Sequence, residues 1–205
     1  MNSNPADTPK RSAFEQREYD RMRLRRAFYV SVGLVVLLLV IFLLQSQFDW
    51  RTFAVYPRRA AGLLGIVTAP LLHGSWEHLA ANSVAILVLG TLAGSVYPRA
   101  TARGLPIIWL GSGIGAWWWG YPGTFHLGAS GLTHGLMFLV FVLGVLRRDK
   151  PAMAAGMIAI FFYGSMLLTI LAREPGVSWQ SHLGGSIAGI LAAFLFRHLD
   201  ERLPQ

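Results

Sequence analysis

Hydrophobic and polar positions divide the chain into a polar head followed by six uncharged apolar runs, at residues 27–44, 79–96, 105–119, 130–146, 152–172 and 182–196. About 20 apolar residues cross the hydrocarbon core of a bilayer as a helix, so the pattern predicts six spanning helices. The third run is short. Pro106 suits a first helical turn and Pro122-Gly123 a stop, which separates the third run from the fourth although no charged residue lies between them. The first run follows a polar tail and leads into Gln45-Ser46-Gln47 with no small-residue cleavage site, so it reads as an uncleaved span and not as a secretory signal. The predicted class is therefore all-α: a polytopic integral membrane protein with a six-helix bundle over residues 27–197. A basic N-terminal tail (1–26) and a short C-terminal tail (198–205) flank it.

The connections add orientation. With the N-terminus in the cytoplasm, Lys and Arg gather on the inner side, in the tail and at Arg99, Arg103, Arg147, Arg148, Lys150, Arg197 and Arg202. Only Arg51, Arg58, Arg59 and Arg173 fall outside. Both termini are thus expected in the cytoplasm, and the second, fourth and sixth helices begin at the outer face. The tail ends in Arg21, Arg23, Arg25 and Arg26 and is expected to be disordered or a surface helix near lipid headgroups. The long connection at 45–75 holds Trp50, Phe53, Tyr56, Leu63, Leu64, Ile66 and Val67, too apolar for a solvated loop. It is expected to lie in the outer interface against the bundle.

Composition agrees with this class and narrows the functions. At 54% hydrophobic residues and a mean hydropathy of +0.47, the 205-residue chain is too apolar for an ordinary soluble domain. The net charge of +8 resides between apolar runs and not on a water-exposed stripe, which argues against nucleic acid as a partner. There is no cysteine, so disulfides, thiolate metal sites and cysteine nucleophiles are excluded.

Ionisable and polar groups inside a membrane are costly, and here they recur at one level. The helices that begin outside each carry them near the start: His78 and Asn82 on the second, Ser130 and His134 on the fourth, His182 on the sixth. Taken singly, each has a structural reading. Ser130 fits a small packing residue, His182 a carbonyl partner at the interface, and His78 with Asn82 an interhelical polar contact. His73 and the Ser75 and Glu77 start of the second helix read as structural, Ser75 as an N-cap. Gly111-Ser112-Gly113-Ile114-Gly115 lies inside an apolar helix without strand or lysine, so close packing suits it better than phosphate binding.

Together the groups fill the roles of serine chemistry. A serine hydroxyl needs a base to take its proton, and neutral imidazole at His182 supplies one. The oxyanion that forms on an attacked carbonyl needs donors, which the Ser130 backbone N–H, His78 and Asn82 can supply. Gly131 and Gly135 on one helix, with Gly185 and Gly189 on the other, form small-x-x-x-small faces that let Ser130 approach His182. With no Asp or Glu in either helix, the prediction is a Ser–His dyad and not a triad.

These residues resemble the rhomboid family of intramembrane serine proteases over roughly residues 27–197. The family's G-x-S-G is Gly128-Ala129-Ser130-Gly131; its A-H-x-x-G-x-x-x-G is Ser181-His182-Leu183-Gly184-Gly185 with Gly189; its H-x-x-x-x-H-x-x-x-N is His73, His78 and Asn82. The resemblance implies Ser130 as nucleophile, His182 as base, and His78, Asn82 and the Ser130 N–H as the oxyanion hole. It also implies single-pass membrane proteins in the lipid bilayer as substrates, and no metal or organic cofactor; the basic inner loops, for their part, fit a bacterial-type inner (plasma) membrane. Three positions depart from the pattern. His134 stands where the family stacks an aromatic ring under the catalytic imidazole, as a neighbouring imidazole. The Trp-Arg pair occurs only upstream, at Trp50-Arg51, and Ser181 replaces a small alanine. The serine-then-His-Gly spacing is also somewhat similar to the rhombosortase branch. The competing readings are a catalytically inactive rhomboid-like protein that binds membrane clients, and a transporter or metal protein using His73, His78, His134 and His182.

Overall fold

A computed structural model describes residues 12–148, 150–164 and 176–200. The tail before Ser12, the second half of the fifth apolar run, Arg173 and the last five residues lie outside the described residues. The protein is an all-α, polytopic membrane protein. Among the described residues three helices are long and apolar enough to cross a membrane. We number the principal helices α1 (Ala13–Leu44), α2 (Trp76–Val96), α3 (Pro98–Trp119), α4 (Ser130–Arg147), α5 (Lys150–Tyr163) and α6 (Trp179–Phe196).

Two boundaries differ from those the hydropathy suggests. α1 begins at Ala13, where Ser12 and Glu15 form a reciprocal capping box, so the tail from Ala13 onward is helical, the second of its two expected states. The Ser12 hydroxyl accepts from the Glu15 N–H at 3.2 Å, and Glu15 Oε2 accepts from the Ser12 N–H at 2.8 Å. The helix therefore runs for 32 residues, about 48 Å at about 1.5 Å per residue, well beyond a hydrocarbon core. α3 begins at Pro98, which occupies its first turn, so Pro106 is an interior residue and not the helix start. α2 follows the expected boundary, with the Ser75 hydroxyl accepting from the His78 N–H at 3.2 Å. Its middle turn at Ile86–Gly90 widens to a π-helix.

α4 is the centre of the molecule. Leu132, Leu136, Met137, Leu139, Val140 and Leu143 are all buried on it, together with Tyr97, Ile108 and Leu89 from its neighbours. A helix apolar on all sides is one enclosed by others, and α3, α5 and α6 enclose this one. α6 in turn is wedged between α3 and α4 through glycine. A Cβ on Gly185 would overlap the Gly131 carbonyl and one on Gly189 the Gly135 carbonyl. On the other side a Cβ on Gly184 would overlap the Gly111 carbonyl. The large exposed apolar side chains of α1 and α5, such as Val36, Leu43, Met157 and Phe161, face outward.

Polar clasps close the two ends. At one end the Arg23 guanidinium donates to the Val96 carbonyl at 2.7 Å. There too the Asp200 carboxylate accepts from the Arg99 and Ala100 N–H groups at 3.2 and 2.9 Å, capping α3, a favourable place for a negative charge. The first residues of the C-terminal segment are thereby docked. At the other end the connection between α1 and α2 is a chain of short helical turns packed onto α3: the Trp109 indole donates to the Val67 carbonyl at 2.8 Å and the Trp117 indole to the Arg59 carbonyl at 3.0 Å.

The glycine seam generates a prediction. Gly185→Ala forces a methyl onto the Gly131 backbone, and overpacking of this kind destabilises by about 1–3 kcal/mol. Gly33→Ala on α1, where a Cβ meets nothing within 4 Å, gains helix propensity and is neutral or mildly stabilising. Thermal unfolding in lipid nanodiscs, comparing the two variants with wild type, reads the contrast; equal melting temperatures for both variants refute the close approach.

Candidate active site

The start of α4 is built by a glycine. Gly128 has φ +109°, a conformation that only glycine adopts readily. Its N–H donates to the Ala69 carbonyl at 2.9 Å. This turn sends Ala129 into a buried cluster with Leu38, Leu79 and Ile86 and leaves Ser130 as the first residue of the helix. As the first helical residue, Ser130 has a backbone N–H with no carbonyl of its own helix to bond. A Cβ on Gly128 would overlap the His78 imidazole, so that ring lies directly on the loop two residues before Ser130. Asn82, one turn further along α2, is buried, and its Nδ2 amide has no hydrogen-bond partner.

The start of α6 supplies the imidazole. The Ser178 hydroxyl caps the helix by accepting from the Ser181 N–H at 3.4 Å, and His182 follows one turn later, 5% exposed. Because the glycine seam begins one residue after Ser130 and three after His182, the two side chains face each other: His182 Nε2 lies 2.8 Å from Ser130 Oγ. Here the ring nitrogen is within reach of the hydroxyl proton.

His134 completes the group. Its ring stacks on that of His182 with centroids 4.0 Å apart and planes inclined by 11°. Its Nδ1 lies 2.7 Å from the Ser130 carbonyl oxygen; since a carbonyl only accepts, Nδ1 carries the hydrogen. Thr133 donates its hydroxyl to the same carbonyl at 2.8 Å.

The remaining predicted residues fall around this centre. Gly131, Gly135, Gly185 and Gly189 line the α4–α6 contact. Ser181 is paired: its hydroxyl lies 2.7 Å from that of Ser112, behind Gly131, where a Cβ would meet both oxygens. The interior serine of the Gly-Ser-Gly-Ile-Gly stretch is thus a polar partner as well as a packing residue. His73 reaches the site only through His78. It packs edge to face against His78, with centroids 5.1 Å apart, and neither of its ring nitrogens has a partner. The imidazoles thus form two separate pairs, and among the described residues no group of three or more His, Cys, Asp or Glu side chains is disposed to hold a metal ion.

Two features carried no sequence signal strong enough to single them out. Gln45, just past the first apolar run, is buried and grips the backbone of His73 from both sides, donating to its carbonyl at 2.8 Å and accepting from its N–H at 3.2 Å. His126 forms a second His–Ser pair, Nδ1 to Ser178 Oγ at 2.7 Å, with Nε2 3.1 Å from the Thr124 hydroxyl. The serine of that pair is the N-cap of α6, and both nitrogens of its ring are taken up. Its backbone bridges to Val55, so the pair fastens the outer connections to α6.

Comparison with known proteins places the chain among relatives. The Rhomboid domain family matches residues 60–199. Uncharacterized proteins of Mycobacterium bovis and Mycobacterium tuberculosis are 42% identical over 153 residues, which cover 69% of this chain and 62% of theirs. An uncharacterized protein of Mycobacterium leprae is 40% identical over 146 residues, covering 65% of this chain and 56% of its own. The chain therefore spans less than two thirds of the length of these curated relatives.

The histidines outside the helices give a pH prediction. Burial, with a smaller contribution from His78, pushes His73 down to about 4, and burial also lowers His126. Below pH 6.5 the unfolded chain binds protons that these buried rings refuse, so stability falls as pH drops from 6.5 toward 4. His73 alone accounts for roughly 3 kcal/mol over that window. His73→Phe keeps the ring contact and removes the titration, so the fall of the unfolding temperature between about pH 7 and pH 4 becomes shallower; an unchanged pH dependence refutes the neutral burial of His73.

Proposed function

The chain belongs to the rhomboid family, and from that premise we propose that it is an intramembrane serine endopeptidase working through a Ser130–His182 dyad. The observation that carries the proposal is the 2.8 Å contact between Ser130 Oγ and His182 Nε2 at the starts of two helices. In this reading the chain crosses a bacterial plasma membrane six times with both termini in the cytoplasm, so the dyad lies near the outer surface, where water reaches it. Its substrates are single-pass membrane proteins whose spanning segment unwinds at the site.

The chemistry follows from the groups present. Ser130 Oγ attacks a peptide carbonyl while its proton passes to His182 Nε2, giving a tetrahedral oxyanion and an imidazolium. The oxyanion is met by the Ser130 backbone N–H, the unpartnered Asn82 amide and the His78 ring. His182 then returns the proton to the leaving amine, and water, deprotonated by the same ring, releases the acyl group and restores Ser130. No step draws on a metal or organic cofactor. The His126–Ser178 pair is the weaker candidate for the nucleophile, since Ser178 caps a helix and His126 is bonded through both ring nitrogens.

Two measurements test the proposal. A fluorophosphonate probe labels the wild-type protein in lipid and fails to label Ser130→Ala, while Ser178→Ala still labels. Equal labelling of wild type and Ser130→Ala defeats the dyad, and a wild type that retains membrane clients without labelling favours the inactive client-binding reading. Asn82→Ala, folded as judged by its melting temperature, lowers cleavage of a transmembrane reporter about 100-fold, the usual effect of removing one oxyanion donor.

A further inference from the structure

His134 is the least expected residue of the site, and two independent contacts define it. Its ring stacks on His182 at 4.0 Å, nearly parallel. Its Nδ1–H donates to the carbonyl of Ser130 at 2.7 Å, tying it to the residue whose hydroxyl faces that same His182. It is 1% exposed, sealed within the helix contact. A carbocyclic ring in this place could offer only the stacking surface; an imidazole also fixes its orientation through the hydrogen bond and can itself take up a proton.

Among the described residues, the ionisable groups on the elements packed around the pair include His126, bonded to the α6 cap Ser178. α6 carries no other ionisable side chain than His182, and α4 none besides His134 until Arg147 at its far end. Arg147 lies about 20 Å from His134 along the helix, at about 1.5 Å per residue. The cations of α3, Arg99 and Arg103, lie in its first two turns, and Lys150 opens α5. α2 contributes Glu77 and His78 near its start, and His73 stands just before it. With ring centroids 4.0 Å apart, a proton on one stacked ring opposes a proton on the other.

We propose that His134 is a positioning residue that couples electrostatically to His182, so that Ser130 is activated only when both stacked rings are neutral. The inference rests on the dyad proposed above. Activation turns His182 into an imidazolium as it takes the Ser130 proton. If His134 already holds a proton, that imidazolium must form 4.0 Å from a like charge in a water-poor contact, and the transfer is suppressed. The two rings then behave as one unit whose first proton, on either ring, silences the site. Mild acid is thus expected to shut the enzyme down earlier than protonation of His182 alone would.

The test is the pH dependence of fluorophosphonate inactivation for wild type, His134→Phe and His134→Tyr in lipid nanodiscs. Both variants keep a stacking ring and lose the second proton site. The ratio of variant to wild-type inactivation rate rises as pH falls from about 8 to 5, by about twofold if the rings are equally basic and by more if His134 is the stronger base. A ring that serves only as a platform changes the rates by a constant factor, so a ratio that stays flat or falls overturns the inference. Histidine ring NMR of the wild type, which needs no variant to fold, decides independently. The His134 and His182 signals titrate together in a shared two-step curve, and separate single-step curves overturn the coupling. A wild type that the probe does not label defeats the dyad itself, whereas labelling with a flat ratio defeats only the role given to His134.

Discussion

The structure depends on the backbone contact between α4 and α6. In a bilayer, apolar side chains gain little by leaving lipid for protein, so helix association relies on close packing and on polar contacts between helices. Glycine permits the closest approach. With Gly185 against the Gly131 carbonyl and Gly189 against the Gly135 carbonyl, the two backbones touch at two points about one turn apart, and Gly184 against Gly111 holds α6 on its other side to α3. Side chains at the starts of α4 and α6 then have almost no freedom in their separation. A short hydroxyl and an imidazole suffice to bridge it, which is how Ser130 meets His182 without any loop to bring them together.

The same contact imposes a constraint on polar groups. Next to backbone packed this tightly there is no space for water to satisfy a stray hydroxyl, so each needs a protein partner. Ser181 finds Ser112 across the α3–α6 contact, Ser186 donates to the His182 carbonyl at 2.7 Å, and Thr133 and His134 share the Ser130 carbonyl. The buried Gln180 Oε1 on α6 has no partner, and the Asn82 Nδ2 amide, buried at the same end of the molecule, has none either. Under the proposed function that is the expected state of a donor reserved for a charge that exists only during reaction.

Much of this was legible in the sequence because the bilayer enforces simple patterns. Apolar runs located the helices, Gly-x-x-x-Gly spacing marked the seam, and the cap at Ser75 was readable from residue type alone. Hydropathy fails where helix and membrane part company. α1 continues back to Ala13 because its start is set by the Ser12–Glu15 cap, and a hydropathy pattern has no means of seeing a helix outside lipid. Pro106 misleads for a related reason: a proline signals a helix start only statistically, and Pro98 held that place. Contacts that join residues distant in sequence left no local trace. Asp200 capping α3 and Gln45 gripping His73 follow from how the ends of the bundle close, which no single segment encodes.

Two His–Ser pairs of nearly equal length show why distance does not identify a nucleophile. Ser130 lies 2.8 Å from His182 and Ser178 lies 2.7 Å from His126. They differ in the other bonds of the same groups. The Ser178 oxygen accepts the Ser181 N–H that begins α6, and His126 is held by Thr124 on its remaining nitrogen, so proton transfer there would disturb a cap and a loop fastening at once. Around Ser130 the supporting bonds go to its carbonyl and leave the hydroxyl to His182. Under the proposed function, a helix start with a free N–H, a hydroxyl with an imidazole partner and a carbonyl held by Thr133 and His134 form an arrangement suited to attack. In that reading, the surrounding bonds distinguish the short Ser130–His182 contact from the equally short His126–Ser178 one.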